Sequence, residues 1–392
     1  PDPTAPYTGM LPGHVAGHYM RDDLDIDLVR LARFAGARLI LGRAVAIDRL
    51  ARRVSITGHP DIAYDIASID IGITSDLPNL PGFAEHAIPA KPLGPFASAW
   101  ERLVVGTQDN VSVTVIGGGV GGVELALAAA HRLGSRGKIT VLEKNHILSD
   151  LPDKTSSALR DELARHGVDA REDTTVSEVT KDGVLLANGE TITSDFCIGA
   201  AGAHPQDWLQ ATGLTLHEGF VTVDEHLRSV SDPTIYAVGD CAHLGFAPRP
   251  KAGVYAVRQA PVLYHNLRAD LTGGSPLYFR PQKDYVKLIS TGRKSAVGDK
   301  FGIRFQGRWL WQIKDRIDRA FMRKFEELPK MRAPSLPDAV SAGVREAVEG
   351  GKPLCGGCGA KVGPGELEGA LCELPAPARA DVLSGPGDDA AI

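Results

Sequence analysis

Between Thr114 and Glu143 the sequence runs as an apolar strand, a glycine-rich turn, a helix and a second apolar strand, and few folds accommodate that order. The first run ends at Val115-Ile116. Gly117-Gly118-Gly119-Val120-Gly121-Gly122 follows, then Val123-Glu124-Leu125-Ala126, and Ile139-Thr140-Val141-Leu142-Glu143 closes the unit. Such a unit cradles a dinucleotide pyrophosphate. Gly117 permits the tight turn, Gly119 lets backbone approach the phosphates, Gly122 lets helix and strand pack closely, and the free N–H groups of the helix start face the anion. Glu143 ends the second strand where a ribose 2′-hydroxyl needs an acceptor, and its charge repels a 2′-phosphate. That favours NADH over NADPH, although Lys144 beside it pulls the other way. The plain alternative is a glycine turn that only joins strand to helix.

A chain of 392 residues with 43% hydrophobic content has room for two or three domains with real cores. A formal net charge of −5 and the lack of any basic run argue against nucleic acid as a partner. The apolar stretch after Val111 is broken by the glycine turn and Glu124, so no membrane span is expected. Five cysteines, Cys197, Cys241, Cys355, Cys358 and Cys372, suit free thiols in a reducing cytoplasm better than a disulfide framework. The chain starts at Pro1 in a proline-rich stretch and ends at Ile392 within a motif, so a fragment truncated at both ends is expected.

Residues 1–108 mix a helical stretch, Leu24 to Ala35, with short strand-like runs. Residues 109–192 hold the dinucleotide module, ending in a hairpin with an Asn188-Gly189 turn. Phe196-Cys197-Ile198-Gly199-Ala200-Ala201-Gly202 then leaves the module, and Ile235-Tyr236-Ala237-Val238 is an apolar strand ending in Gly239-Asp240. The Asp240 carboxylate falls at a strand's C-terminal edge, where α/β sheets bind ligands; a solvent-facing turn aspartate is the other reading. Pro250-Lys251-Ala252-Gly253 opens a helix to Leu267 whose N-terminal amides suit a negatively charged cofactor, and Pro261 should kink it. Residues 331–353 have linker composition.

In order and spacing these motifs resemble the two-dinucleotide flavoproteins that include type II NADH dehydrogenases and sulfide:quinone reductases. In that family an FAD domain is interrupted by an NAD(P)H domain. Gly199-Ala200-Ala201-Gly202-Ala203-His204-Pro205 resembles the return crossing, Tyr236-Ala237-Val238-Gly239-Asp240 the second FAD fingerprint, and Tyr7-Thr8-Gly9-Met10-Leu11-Pro12-Gly13 the loop after a first FAD unit. The resemblance implies hydride transfer from NADH to FAD, with Gly239 and Asp240 holding the ribityl chain and Ala252 and Gly253 beside the flavin. Glu124 has two readings, a group placing the nicotinamide or a partner for the helix dipole. Only Gln259 survives of the glutamine-rich pattern of quinone-reducing members, which speaks against a quinone acceptor. Cys197 and Cys241 lie far apart in sequence, so a Cys-x-x-Cys relay is not expected.

The tail Cys355-Gly356-Gly357-Cys358-Gly359-Ala360-Lys361, with Gly387-Asp388-Asp389-Ala390-Ala391, resembles the start of selenide, water dikinase. That resemblance implies a catalytic Cys358 and Lys361, Asp389 on Mg²⁺, and ATP as phosphoryl donor. A zinc knuckle on Cys355 and Cys358 is the rival, but only Cys372 follows to complete it. From Gly307 to Phe325, Ile313, Ile317, Phe321 and Phe325 share one helical face, with Lys314, Arg316, Arg319, Arg323 and Lys324 largely elsewhere. Such a helix either lies on an anionic membrane or packs on the flavin domain.

The expected fold class is therefore α/β, an FAD domain interrupted by a Rossmann-like NAD domain, plus the start of an α+β ATP-binding kinase domain. Its parts are 1–108 and 193–270 for FAD, 109–192 for NAD(P)H, a C-terminal flavoprotein segment 271–330, the linker, and 354–392. The expected function is an FAD-dependent NADH oxidoreductase fused to selenophosphate synthesis, acting on small molecules, cytoplasmic or peripheral on the membrane's inner face. The alternative is a nucleotide-sensing module without turnover.

Overall fold

The computed structural model describes residues 2–106, 110–329 and 345. Pro1–Leu328 forms one compact unit and Pro329–Ile392 a second. In the first unit, β1 (Ala67–Ile69) starts an outer sheet that the chain then leaves. A module built on β2 (Val111–Ile116), α1 (Val120–Leu133), β3 (Gly137–Leu142) and α2 (Asp153–Arg165) intervenes. The chain returns with β4 (Asp232–Ala237), whose Ile235 and Ala237 register in parallel against Ala67 and Ile69.

The module's five-stranded sheet runs Asp169–Arg171, β3, β2, Phe196–Gly199, Ala87–Pro89, with every pairing parallel. It thus takes in strands on both sides of 109–192. A parallel sheet needs cover on both faces, and the near-continuous apolar runs of β2 and β3 meet that need: Val113, Val115, Ile139, Val141 and Leu142 are all buried. The outer sheet runs Leu216–His217, Phe220–Val223, Arg228–Ser229, β4, β1, with Ala242–Leu244 alongside Phe220–Val223.

After β4 come α3 (Gly253–Thr272), an antiparallel meander of β5 (Lys287–Thr291), β6 (Arg293–Lys300) and β7 (Ile303–Gly307), and α4 (Arg308–Glu326). The meander explains an unusual feature of α1. Val123, Ala126, Leu127, Ala128 and Ala129 leave no surface exposed, because one side of the helix faces the module's sheet and another lies under β5. Small side chains permit this closeness, and so does Gly292 at the β5–β6 turn: its φ is +78°, and a Cβ there would stand 2.1 Å from the Leu127 carbonyl oxygen.

Two local expectations change. The helix expected from Leu24 starts at Leu28, because Asp25–Asp27 pairs with Thr4–Pro6 and the Asp27 carboxylate caps the Arg30 amide. The helix α3 is uninterrupted at Pro261; Val257, whose carbonyl loses its helical donor there, is half exposed and can bond water. The Asn188-Gly189 hairpin forms, with the Asn188 side chain accepting from the Glu190 amide.

Candidate functional site

The glycine turn follows directly from β2. The Gly117 amide donates to the Leu142 carbonyl at 2.8 Å, so the turn leaves the sheet beside the end of β3. Gly117 has φ +117°, and a Cβ on it would stand 2.6 Å from the Ala200 carbonyl carbon. A Cβ on Gly122 would stand 2.0 Å from the Gly117 carbonyl oxygen. By contrast, a Cβ on Gly119 would meet nothing within 4 Å. Two glycines are thus required by packing, while the third keeps a space open at the start of α1. That start has no side-chain cap and no acid in its first turn, so its amides carry an uncompensated positive end. This cradle suits a pyrophosphate.

Glu143 is already engaged. Its Oε2 accepts from the Gly118 amide at 2.7 Å and its Oε1 from the Asn145 amide at 3.0 Å, so the carboxylate holds the glycine turn as well as ending β3. Lone pairs remain for a ribose hydroxyl. A cavity of about 180 Å³ opens here, lined by Gly117, Glu143, Lys144, Thr175, Val176 and Ala201 among others.

The second centre is at the end of β4. Gly239 has φ +69°, and its amide donates to Oε1 of Gln259 at 2.7 Å; Gln259 is buried on α3. The Gly-Asp turn is therefore fixed by the following helix. Asp240 pairs with Lys91 at 3.4 Å. Asp70, just past β1, lies against Gly239, where a Cβ would stand 2.4 Å from its Oδ1. Burial, then the Asp240 charge, pushes the Asp70 carboxyl up. The α3 start at Ala252 and Gly253 has no side-chain cap and no acid in its first turn. Lys251 beside it donates to the Ala242 carbonyl at 2.6 Å and stands over the Phe220 ring, and burial lowers its ammonium pKa. An uncapped helix start, a lysine and a positioned aspartate suit an anionic cofactor with a polyol chain.

Short links join the two centres. Ala200 and Ala201 lie under Gly117, the Ala90 amide donates to Gly199, the Ser75 amide donates to the Lys91 carbonyl, and Lys91 reaches Asp240. Lys91, Asp70 and the Gln259 bond to the turn were not legible in sequence, because each partner comes from a distant segment.

Glu124 lies elsewhere than the phosphate turn. Its Oε1 accepts from the Ser290 amide of β5 at 2.6 Å. Burial pushes its carboxyl up to about 6, opposed by the Lys314 charge and the Ser290 bond. The Cys197 thiol is pushed up to about 12 by burial, and the Cys241 thiol to about 11 mainly by the same cause. Both are free and buried, so neither is a ready nucleophile. On α4, Trp309, Ile313 and Ile317 are exposed by 50%, 43% and 54%, while Phe321 turns inward to the Tyr7 ring, 4.6 Å between centroids. Among the described residues no helix is long and apolar enough to cross a membrane and no side-chain group could hold a metal. Cys358, Lys361, Asp389 and, apart from residue 345, the 331–353 linker lie outside the described residues.

Comparison with known proteins gives three kinds of match. A family model described as pyridine nucleotide-disulphide oxidoreductase covers residues 2–260. The NADH dehydrogenase-like protein YutJ of Bacillus subtilis is 24% identical over 294 residues, 74% of this chain and 79% of that protein. The type II NADH:quinone oxidoreductase of Haemophilus influenzae is 29% identical over 217 residues, 50% of this chain and 48% of that one. Among solved structures, the sulfide:quinone oxidoreductase of Aquifex aeolicus superposes with TM-score 0.68 at 18% identity, covering 83% of this chain and 84% of that chain. The Plasmodium falciparum NDH2 in complex with NADH also reaches TM-score 0.68, at 13% identity, covering 84% of this chain and 93% of that chain. At such identities the structural matches speak for the fold.

Proposed function

The chain belongs to the pyridine nucleotide-disulphide oxidoreductase family, and from that premise we propose that it is an FAD-dependent oxidoreductase that takes hydride from NADH. The observation that carries this reading is the pair of uncapped helix starts, α1 behind Gly119 after the parallel strand β2, and α3 at Gly253 beyond the Gly-Asp turn that ends β4, linked through Ala200–Ala201 and Lys91. FAD, when bound, supplies the two-electron chemistry, receiving hydride and passing electrons to an acceptor. The protein's part is placement. Gly117, Gly119 and Gly122 shape the approach for the NADH pyrophosphate, and Glu143 holds the turn and faces the adenosine ribose. Gly239, Asp240 and Lys91 fix the ribityl side of FAD. The α3 amides at Ala252 and Gly253 stabilise negative charge near the flavin. The high thiol pKa values of Cys197 and Cys241 favour direct transfer without a dithiol relay.

Two finer readings belong to the same proposal. The Cys358, Lys361 and Asp389 motifs support a joined selenide, water dikinase that converts selenide, ATP and water to selenophosphate, AMP and phosphate with Mg²⁺. The exposed Trp309, Ile313 and Ile317 on α4 support peripheral contact with a membrane. The decisive experiment is anaerobic: protein carrying FAD should lose its flavin colour on addition of NADH, and more readily than with NADPH. Protein that binds NADH without bleaching would instead be a nucleotide sensor. ATP-dependent consumption of selenide that disappears in Cys358→Ala tests the joined activity separately.

A further inference from the structure

A cavity of about 460 Å³ lies apart from both nucleotide centres. Its lining comes from four places: His131 at the end of α1, Arg165 at the end of α2, Arg293 and Lys294 just after the β5–β6 turn, and Arg308 at the start of α4. Thr291, Ser295 and Glu162 complete it. Glu162 is the one carboxylate of this lining, and it is occupied: it accepts from Arg165 at 2.9 Å and from Gln306 at 2.9 Å. Among the described residues Arg293, Lys294 and Arg308 form no ion pair with a carboxylate.

Helix dipoles account for only part of this charge. His131 and Arg165 sit in the last turns of α1 and α2, where cations are favoured. Arg308 is the first residue of α4, where a cation adds to the positive helix end, and that first turn holds neither an acid nor a side-chain cap. The crowding is felt at His131, whose imidazolium is disfavoured first by burial and then by His18, His166, Arg293 and Arg132. Cations converging from three elements, α2, β6 and α4, on one concavity repel one another unless an anion lies between them.

We infer that this cavity binds a phosphate ester, held by Arg293, Lys294 and Arg308 with the Ser295 hydroxyl beside them. A phosphate presents several acceptor oxygens that guanidinium groups match in pairs. Glu162 opposes an anion, and its bond to Arg165 restrains that opposition. The ligand bridges the C-terminal meander to the far end of α1, the helix whose other end shapes the NADH cradle. Two sources offer this chemistry, a free phosphorylated metabolite or the headgroup of an anionic lipid; exposed Trp309 next to Arg308 is compatible with the second.

The test uses the full chain with glycerol 3-phosphate, and separately phosphatidylcholine vesicles with and without phosphatidic acid. Wild-type protein should show saturable thermal stabilisation by glycerol 3-phosphate beyond that of chloride at equal ionic strength, or sedimentation with vesicles only when phosphatidic acid is present. In Arg293→Ala/Arg308→Ala either response should weaken at least about tenfold, while NADH affinity stays unchanged. Arg293→Lys/Arg308→Lys, which keeps the charge and the fold, should retain an intermediate response. A response to glycerol 3-phosphate alone assigns the site to a soluble ester, and one to vesicles alone assigns it to a lipid headgroup. If wild type and both variants respond equally to each probe, or none responds, the inference falls.

Discussion

Gly119 and Gly122 stand one helical turn apart and meet opposite constraints. A methyl group on Gly122 runs into the Gly117 carbonyl oxygen at 2.0 Å, whereas one on Gly119 projects into open space. Gly122→Ala should therefore lower unfolding stability by about 2 kcal/mol or more, read as a shift in the urea midpoint. Gly119→Ala should unfold like wild type yet bind NADH weakly, by fluorescence titration. Equal effects of the two substitutions on stability would contradict this division. Glu124 gives a pH prediction. Its folded pKa is raised from 4.5 to about 6, so its environment favours the protonated form. The stability it contributes is fully present below pH 4.5 and lost as pH rises through 6. Glu124→Gln keeps an acceptor for Ser290 without the charge, so it should stabilise the protein above pH 6 by about 2 kcal/mol and change little at pH 4. Thermal unfolding of both proteins across that range decides it. The turns at Gly117–Gly122 and Gly239–Asp240 were legible in sequence because a turn or strand end declares itself through its own neighbours. Lys91 was not, since its partner Asp240 is 149 positions away. Nor was the destination of Glu124, whose bond runs 166 positions to Ser290.

At the scale of elements, α4 shows how an amphipathic pattern can be read one face away from the truth. Spacing alone put Ile313, Ile317, Phe321 and Phe325 on a common stripe. In the fold, Leu310, Asp318 and Met322 are buried, Phe321 packs inward, and Ile313 and Ile317 face outward. The reason is an ion pair inside the buried face. Lys314 donates to Asp318 at 2.6 Å and to the Gly9 carbonyl at 2.6 Å, and Asp318 also accepts from the Tyr7 hydroxyl at 3.2 Å. Lys314 reads as one of the cations off the apolar stripe, yet besides each other Lys314 and Asp318 take partners from the chain's start, over three hundred positions away by number. Asp318→Ala leaves the Lys314 ammonium buried without its counter-charge and should cost about 3 kcal/mol. The double change Lys314→Met/Asp318→Leu should recover most of that loss, because it removes the unpaired charge and the desolvation cost together. A urea series on the three proteins measures it. No recovery in the double variant would mean that the Gly9 and Tyr7 bonds matter more than the pair.

For the whole molecule the question is how far the nucleotide module stands alone. By sequence it is a self-contained strand–helix–strand unit within 109–192; in the fold its open five-stranded sheet stays within residues 87–199, from Asp169–Arg171 at one edge to Ala87–Pro89 at the other. Its central helix does not. Leu127 and Ala128 reach the β5–β6 turn, where Gly292 approaches the Leu127 carbonyl, and Glu124 takes the Ser290 amide. The short helix Leu11–Val15 adds Leu11, Val15 and Ala16 to the same apolar core. Excising residues 87–199 would strip this cover from α1 and expose side chains such as Leu125 and Leu127, each worth about 2 kcal/mol when buried. It would also leave the Glu124 carboxylate without its backbone donor. The excised module should therefore bind a hydrophobic dye and melt without a cooperative transition, whereas the unit ending at Leu328 melts cooperatively. A module that folds cooperatively alone and binds NADH would show that the meander and α4 are accessories to the cradle; failure to fold, reversed by supplying residues 287–328 in trans, would show that the cradle's rigidity is built from outside the module that carries its motif.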